Sequence, residues 1–196
     1  MTKKKLAIVR LKKLELSDRL QKYLREYGIK KIERRFGFLN ILEVPIIQKV
    51  AINTGIGKLR NIKGIHKSIE SCLQKITDQN PALTKTAKAI ANFKIKKHDV
   101  VGLKLSVRKR RMFEFLDRTI NLAIPRSKDF GIPTLQSFDR TGSLTIGIKD
   151  CSVFPETWQV PSSSDVGIGI SIVIKPYHQK PVAYLLQNLN FPITKT

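Results

Sequence analysis

The sequence predicts an α+β fold in which helices cover one face of a mainly antiparallel sheet, giving two layers. Several runs alternate apolar and polar residues with a period of two, as strands with one buried face do. Other segments place apolar residues at helical spacing. The chain has 196 residues, 41% of them hydrophobic, which suffices for one ordinary core.

Residues 1–36 carry leucines at roughly helical spacing among charged neighbours, which predicts a basic helix interrupted near Gly28. Ser17 and Asp18 are candidate N-caps, and Gly28 predicts the end of that helix. We interpret residues 1–40 as a basic N-terminal extension and residues 41–196 as a single domain. The extension has two alternatives, a solvated, loosely held arm or a segment that lies on RNA.

The domain opens with a predicted strand from Val44-Pro45 to Ile52, ending in the turn of residues 53–57. A helix follows, and residues 78–81 (DQNP) end it. Its predicted core face is a stripe of aliphatic residues: Ile62, Ile65, Ile69, Leu73 and Ile76.

Residues 91–96 and 101–108 both alternate, which predicts a hairpin around residues 97–99. Like charges opposite one another destabilise a strand pair unless an anion neutralises them. A solubilising face usually mixes signs, so the pattern favours RNA contact over simple solubility. The outward face of this hairpin would carry Lys94, Lys96, Lys104 and Arg108.

The C-terminal part predicts a helix, two strands and a last helix. The first helix follows the basic triplet of residues 109–111 and ends at Pro125. Strands are predicted where apolar residues alternate, at 144–148 and 166–174. The final helix is predicted from apolar residues at helical spacing, Val182, Leu185, Leu186 and Leu189.

The net charge of +22 is concentrated in two segments. Residues 1–40 contain 13 Lys/Arg and four Asp/Glu, and residues 84–128 contain 13 and three. Such clustering destabilises a compact chain by self-repulsion, so it indicates a polyanionic partner, most simply nucleic acid.

Other functional classes find little support. The three histidines, His66, His98 and His178, have no metal-binding spacing, and no close carboxylate pair suggests acid–base catalysis. We therefore expect neither an enzyme nor a cofactor. Cys72 and Cys151 form no CxxC motif and are interpreted as small apolar residues. The apolar stripes are needed for one core, which argues against a membrane-surface protein.

The motifs resemble, in order, those of the bacterial-type large-subunit ribosomal protein five family. The resemblance covers residues 41–193 and rests on VPIIQKVAINTGIG (44–57), ITDQNPALTKTAKAIANFKIKK (76–97), RMFEFLDRTINLAIPRSKDF (111–130), SFDRTGSLTIGI (137–148), FPE (154–156) and GIGISIVIKPYHQKPVAYLLQNLNFP (167–192). It implies a twisted antiparallel sheet packed by helices. The chain departs from the family pattern at Ala87 and Asn92, where Arg and Gly are usual.

The resemblance implies two groups of site residues. The motif positions near the 5S rRNA-binding surface are Asn53, Gln79, Thr84, Lys85 and Lys88. The charge pattern adds four further candidate rRNA contacts: Lys104, Arg108, Arg110 and Arg111. The projecting loop that reaches P-site tRNA corresponds to Asn92, Phe93, Lys94, Lys96, Lys97 and His98.

The implied role is a structural constituent of the large ribosomal subunit, in the central protuberance. Its implied partners are 5S rRNA, large-subunit rRNA, P-site tRNA, neighbouring ribosomal proteins and a small-subunit head protein across a bridge. The alternative is a charge-driven RNA-binding protein or RNA chaperone outside the ribosome. The basic extension and a bias to 24 Ile and 25 Lys favour a mitochondrial ribosome, with bacterial cytoplasm and plastid stroma left open.

Overall fold

A computed structural model describes residues 20–57, 64–93, 95–127, 130–134, 137–158, 166–176 and 178–193. Five strands form one sheet: β1 (Ile46–Gly55), β2 (Ala82–Lys85), β3 (Val100–Val107), β4 (Ser143–Ile148) and β5 (Ile168–Lys175). Their spatial order is β2-β3-β1-β5-β4, and every neighbouring pair is antiparallel. The predicted α+β class is confirmed.

Helices cover one face of this sheet. They are α1 (Ile29–Phe36), α2 (Ile65–Thr77), α3 (Lys109–Arg118) and α4 (Gln179–Asn188). Their apolar residues meet the inward residues of the strands in one cluster, which includes Ile32, Leu73 and Leu186. The sheet's second face carries no helix among the described residues, and we call it the open face.

The described part of the predicted N-terminal helix continues to Phe36, as expected, but it neither breaks nor ends at Gly28. Residues 20–23 are helical, a π-helical turn spans Leu24–Gly28, and α1 continues to Phe36. Gly28 keeps helical dihedrals, with φ −61° and ψ −51°. The helix stops instead at Gly37, whose left-handed φ of 69° suits glycine. Ser17 and Asp18 lie outside the described residues.

The predicted strand over residues 91–96 is also wrong. Ala91–Phe93 form a single 3₁₀ turn, and only an isolated bridge joins Ile90 to Ile95. Strand β3 pairs with β2 and β1 instead. Alternation misled the prediction because these apolar residues face no core: Ala91 is exposed and Ile95 only half-buried.

The other predicted elements are present with shifted ends. Strands β1, β4 and β5 and helices α2 and α4 occur where periodicity placed them. Helix α3 runs on through a π-helical turn, Thr119–Ala123, and a short helix, Ile124–Arg126, so Pro125 lies within the last turn. Ile62 of the predicted stripe lies outside the described residues.

Candidate nucleic-acid interface

The open face is defined by the residues between the buried ones of each strand. In an antiparallel pair, directly opposed residues project to the same side of the sheet. Asn53 opposes Lys104 on β3 and Gly169 on β5, while its neighbours Ile52 and Thr54 are buried on the helix side. One row therefore crosses all five strands: Ala82, Lys104, Asn53, Gly169 and Gly147.

Small residues make this face shallow. The neighbouring row consists of Ser106, Ala51, Ser171 and Thr145, and the hydroxyls of Thr145 and Ser171 lie 2.9 Å apart in a hydrogen bond. A Cβ built on Gly147 would meet no atom within 4 Å. The fold therefore does not require glycine there, and its absence of a side chain leaves the backbone open to a ligand.

The electrostatics of the five strands are one-sided. They contain four lysines, Lys49, Lys85, Lys104 and Lys175, and no Asp or Glu. An acid-free sheet surface of this kind attracts phosphate and carries no carboxylate that would repel it. Sequence reasoning missed Lys49 and Lys175, although both are basic residues within predicted or adjoining strand segments.

Asn53 lies near the middle of the open face. Its side chain is exposed and has no hydrogen-bond partner among the described residues. An amide offers both donor and acceptor groups with fixed geometry, which an ammonium group does not. The opposed Asn53 and Lys104 therefore place an amide and an ammonium group on neighbouring positions of the open face.

Two further site residues lie on strand β2 beside this pair. Thr84 opposes Gly102, on the same face as Lys104, and Lys85 opposes Val100 after a bulge. Gln79 lies in the turn between α2 and β2, where its carbonyl accepts a hydrogen bond of 3.3 Å from Thr77 Oγ1. The structure thus groups Asn53, Thr84 and Lys104 on one face and places Gln79 in the turn that leads into β2.

The loop of residues 86–99 projects from β2 and β3 and is closed by its own hydrogen bonds. Thr86 Oγ1 donates to the Lys96 carbonyl at 2.6 Å, and the Lys96 amide donates to Asp99 Oδ2 at 2.9 Å. His98 adopts a left-handed φ of 69°. Exposed side chains are those of Lys88, Asn92, Lys96, Lys97 and His98, whereas Lys94 and the side chain of Phe93 lie outside the described part.

The predicted lysine–arginine face is not assembled as expected. Lys104 opposes Asn53 and Ala82, while Lys96 belongs to the loop. Arg108 occupies the N-cap position of α3 at the far end of β3, about 13 Å along the strand from Lys104. Arg111 is exposed there, and Arg110 pairs with Glu114 at 3.1 Å. These three arginines form a separate basic corner, because β3 places them away from the loop.

The described residues contain no group of three or more His, Cys, Asp or Glu side chains that would hold a metal ion. Nor does any described helix have the length and apolar character needed to cross a membrane. Cys72 and Cys151 are buried free thiols. Their mutual hydrogen bond and burial raise the pKa of the Cys151 thiol, so it stays neutral in the core.

Comparisons with known proteins identify the family to which this chain belongs. Residues 40–96 match the family described as ribosomal protein L5, and residues 100–193 match the model of that ribosomal family's C-terminus. The large ribosomal subunit protein uL5 of Dichelobacter nodosus is 37% identical over 174 residues, covering 89% of this chain and 97% of the relative. The uL5 protein of Clostridium botulinum strain Loch Maree is 37% identical over 181 residues, covering 92% and 100%. The chain belongs to the ribosomal protein L5 family, whose members are structural rather than enzymatic.

Proposed function

We propose that this protein is a structural constituent of the large ribosomal subunit and binds 5S rRNA through the open face of its sheet. The observation that carries the proposal is the Asn53–Lys104 pair at the middle of an acid-free surface of small residues. Phosphates replace counterions at the lysines, while the Asn53 amide and the Thr84 hydroxyl supply directional contacts. Gln79, Lys85 and Lys88 extend this contact towards the edge of the sheet.

The loop of residues 86–99 is the proposed tRNA-contacting element. Its exposed residues Lys96, Lys97 and His98 lie beyond the edge strand β2, so they can reach an RNA other than the one on the sheet. The basic corner at the start of α3 is the proposed contact with large-subunit rRNA. A bridge to a small-subunit head protein and contacts with neighbouring proteins of the central protuberance complete the proposed set of partners.

The proposed location is a mitochondrial ribosome, supported by the basic segment of residues 1–40 and the Ile/Lys bias. The relatives compared are bacterial, which supports a ribosomal location without distinguishing the compartment. Residues 1–40 remain a predicted extension. Its described part packs onto the domain, since Leu24 and Ile32 belong to the core.

The test is the affinity of Asn53→Ala for 5S rRNA. Loss of directional hydrogen bonds should weaken binding roughly tenfold, about 1.4 kcal/mol, with an unchanged melting temperature because the side chain is exposed. Gln74→Ala is the matched control: its amide is also exposed but lies on α2, in the helical layer. Equal affinities of the two variants would remove Asn53 from the site. Equal binding of 5S rRNA and unrelated RNA would favour the charge-driven RNA chaperone.

A further inference from the structure

A further basic surface lies in the helical layer, on the other side of the sheet from the open face. It is a groove between α1 and α4 with a volume of about 540 Å³. We call it the α1–α4 groove and define it by its lining residues, Tyr27, Lys30, Lys31, Arg34, Arg35 and Tyr184. Four cations and two aromatic rings thus share one cavity.

The four cations are not neutralised within the described structure. None of them forms an ion pair with a described residue. Lys31 Nζ has a neutral partner, Asn188 Oδ1, at 3.5 Å. The single acid in α1, Glu33, does not line the groove. The groove therefore concentrates positive charge that folding alone does not require.

The aromatic ring of Tyr184 positions the cations. The Arg35 guanidinium lies 4.3 Å from the ring centroid and Lys31 Nζ lies 5.9 Å from it. The edge of Phe36 fixes the ring itself, with centroids 5.8 Å apart at 69°. A guanidinium held over an aromatic face loses less entropy when it binds an anion, and its N–H groups stay available for phosphate.

Tyr27 offers a different kind of contact. Its side chain is 64% exposed, and its ring stacks on Tyr23 with centroids 6.3 Å apart and an interplanar angle of 26°. An exposed ring beside a cationic groove matches the combination that binds single-stranded nucleic acid, in which phosphates meet cations and bases stack on aromatic rings.

We propose that the α1–α4 groove binds a single-stranded RNA segment, with its four cations on phosphates and Tyr27 stacked on an unpaired base. This goes beyond 5S rRNA binding, because the groove and the open face are on different sides of the sheet. The protein would then join two RNA segments. A lipid surface fits less well, since the apolar side of α1, with Ile32 and Phe36, packs into the core instead of facing outwards beside the cations.

The experiment uses the full chain saturated with 5S rRNA and a fluorescent oligoadenylate RNA of about 12 nucleotides as probe. Fluorescence anisotropy gives its Kd over a series of salt concentrations. Lys30→Gln with Arg34→Gln should weaken binding about 25-fold at about 0.1 M salt, because each lost contact removes about 0.7 from the salt slope for a single strand. Tyr27→Leu should weaken binding roughly tenfold and leave the slope unchanged.

The matched control is Lys67→Gln with Arg140→Gln, which removes the same charges from exposed positions outside the groove. It should change the Kd less than about threefold, the expected size for surface charge alone. Equal weakening by both pairs, or no oligonucleotide binding to the 5S complex, overturns the proposal. Binding of phosphatidylglycerol vesicles without binding of the RNA overturns it in favour of a lipid.

The two proposals fail separately. Loss of 5S binding in Asn53→Ala with retained oligoadenylate binding supports both sites. If 5S rRNA does not bind at all, the groove can still be tested by the same titration on Lys104→Gln protein without 5S rRNA. This variant lacks one of the lysines of the open face, so that face competes less for the oligonucleotide. If adding Lys30→Gln and Arg34→Gln to the Lys104→Gln protein lowers its affinity for oligoadenylate, the result supports RNA binding by the groove but not 5S rRNA binding by the open face.

Discussion

Gly102→Ala is expected to destabilise the protein through a backbone contact between β3 and β1. A Cβ at this position would lie 2.8 Å from the Thr54 carbonyl oxygen, which belongs to the backbone of the neighbouring strand and cannot rotate away. Ordinary van der Waals contact begins near 3.4 Å, so the strands must separate by about 0.6 Å or distort. Overpacking of this kind costs about 1–3 kcal/mol.

For a chain of this size, that cost corresponds to a melting temperature lowered by roughly 2–12 °C. Urea unfolding followed by circular dichroism measures the free energy directly. Gly147→Ala is the matched control, because it makes the same change on the same face where a Cβ has open space. It should alter stability by no more than about 0.5 kcal/mol. Equal destabilisation by the two variants would refute the steric argument.

Two further predictions address the loop and the core. Lys96→Glu with Lys97→Glu should weaken the affinity for P-site tRNA at least tenfold and change the affinity for 5S rRNA less than about threefold, because the loop lies beyond the sheet. Filter binding with each RNA measures the two affinities. Equal losses would contradict the proposal that the loop binds tRNA and the sheet binds 5S rRNA. Leu73→Ala should lower the free energy of unfolding, measured in urea, by about 2–5 kcal/mol because the Leu73 side chain is fully buried. The control Gln74→Ala, at an exposed position of the same helix, should lower it by less than about 0.5 kcal/mol. Similar losses in the two variants would contradict the placement of α2.

Hydrophobic periodicity correctly predicted the strands and helices that pack against the core. It failed in a segment whose apolar residues do not face the core. In β5, Ile168, Ile170 and Ile172 are buried at every second position, as the alternation indicated. Residues 91–96 show the same pattern but form a loop closed by Thr86 and Asp99. Local alternation records which side chains are apolar, and only the tertiary fold decides whether they meet a core.

The candidate sites depend on pairings that the sequence does not contain. Asn53 and Lys104 are opposed because β1 and β3 are neighbours in one register, and a shift of one residue would turn Asn53 towards the helices. Arg35 and Tyr184 meet across α1 and α4, from nearly opposite ends of the chain. Sequence motifs identified Asn53 through resemblance, but no local signal linked α1 with α4.

The central position of β1 has a consequence for how the protein is made. One of its partners, β5, is the last of the five described strands in chain order, and Asn53 opposes Gly169 although 116 positions separate them in the sequence. During synthesis β1 is therefore translated before β5 and stays unpaired on that side until β5 has emerged. Long-range pairing of this kind slows folding and leaves strand edges prone to aggregation in the interval. A nascent chain that stops before β5 has no complete row across the open face, so RNA can meet the finished surface only after β5 has been translated.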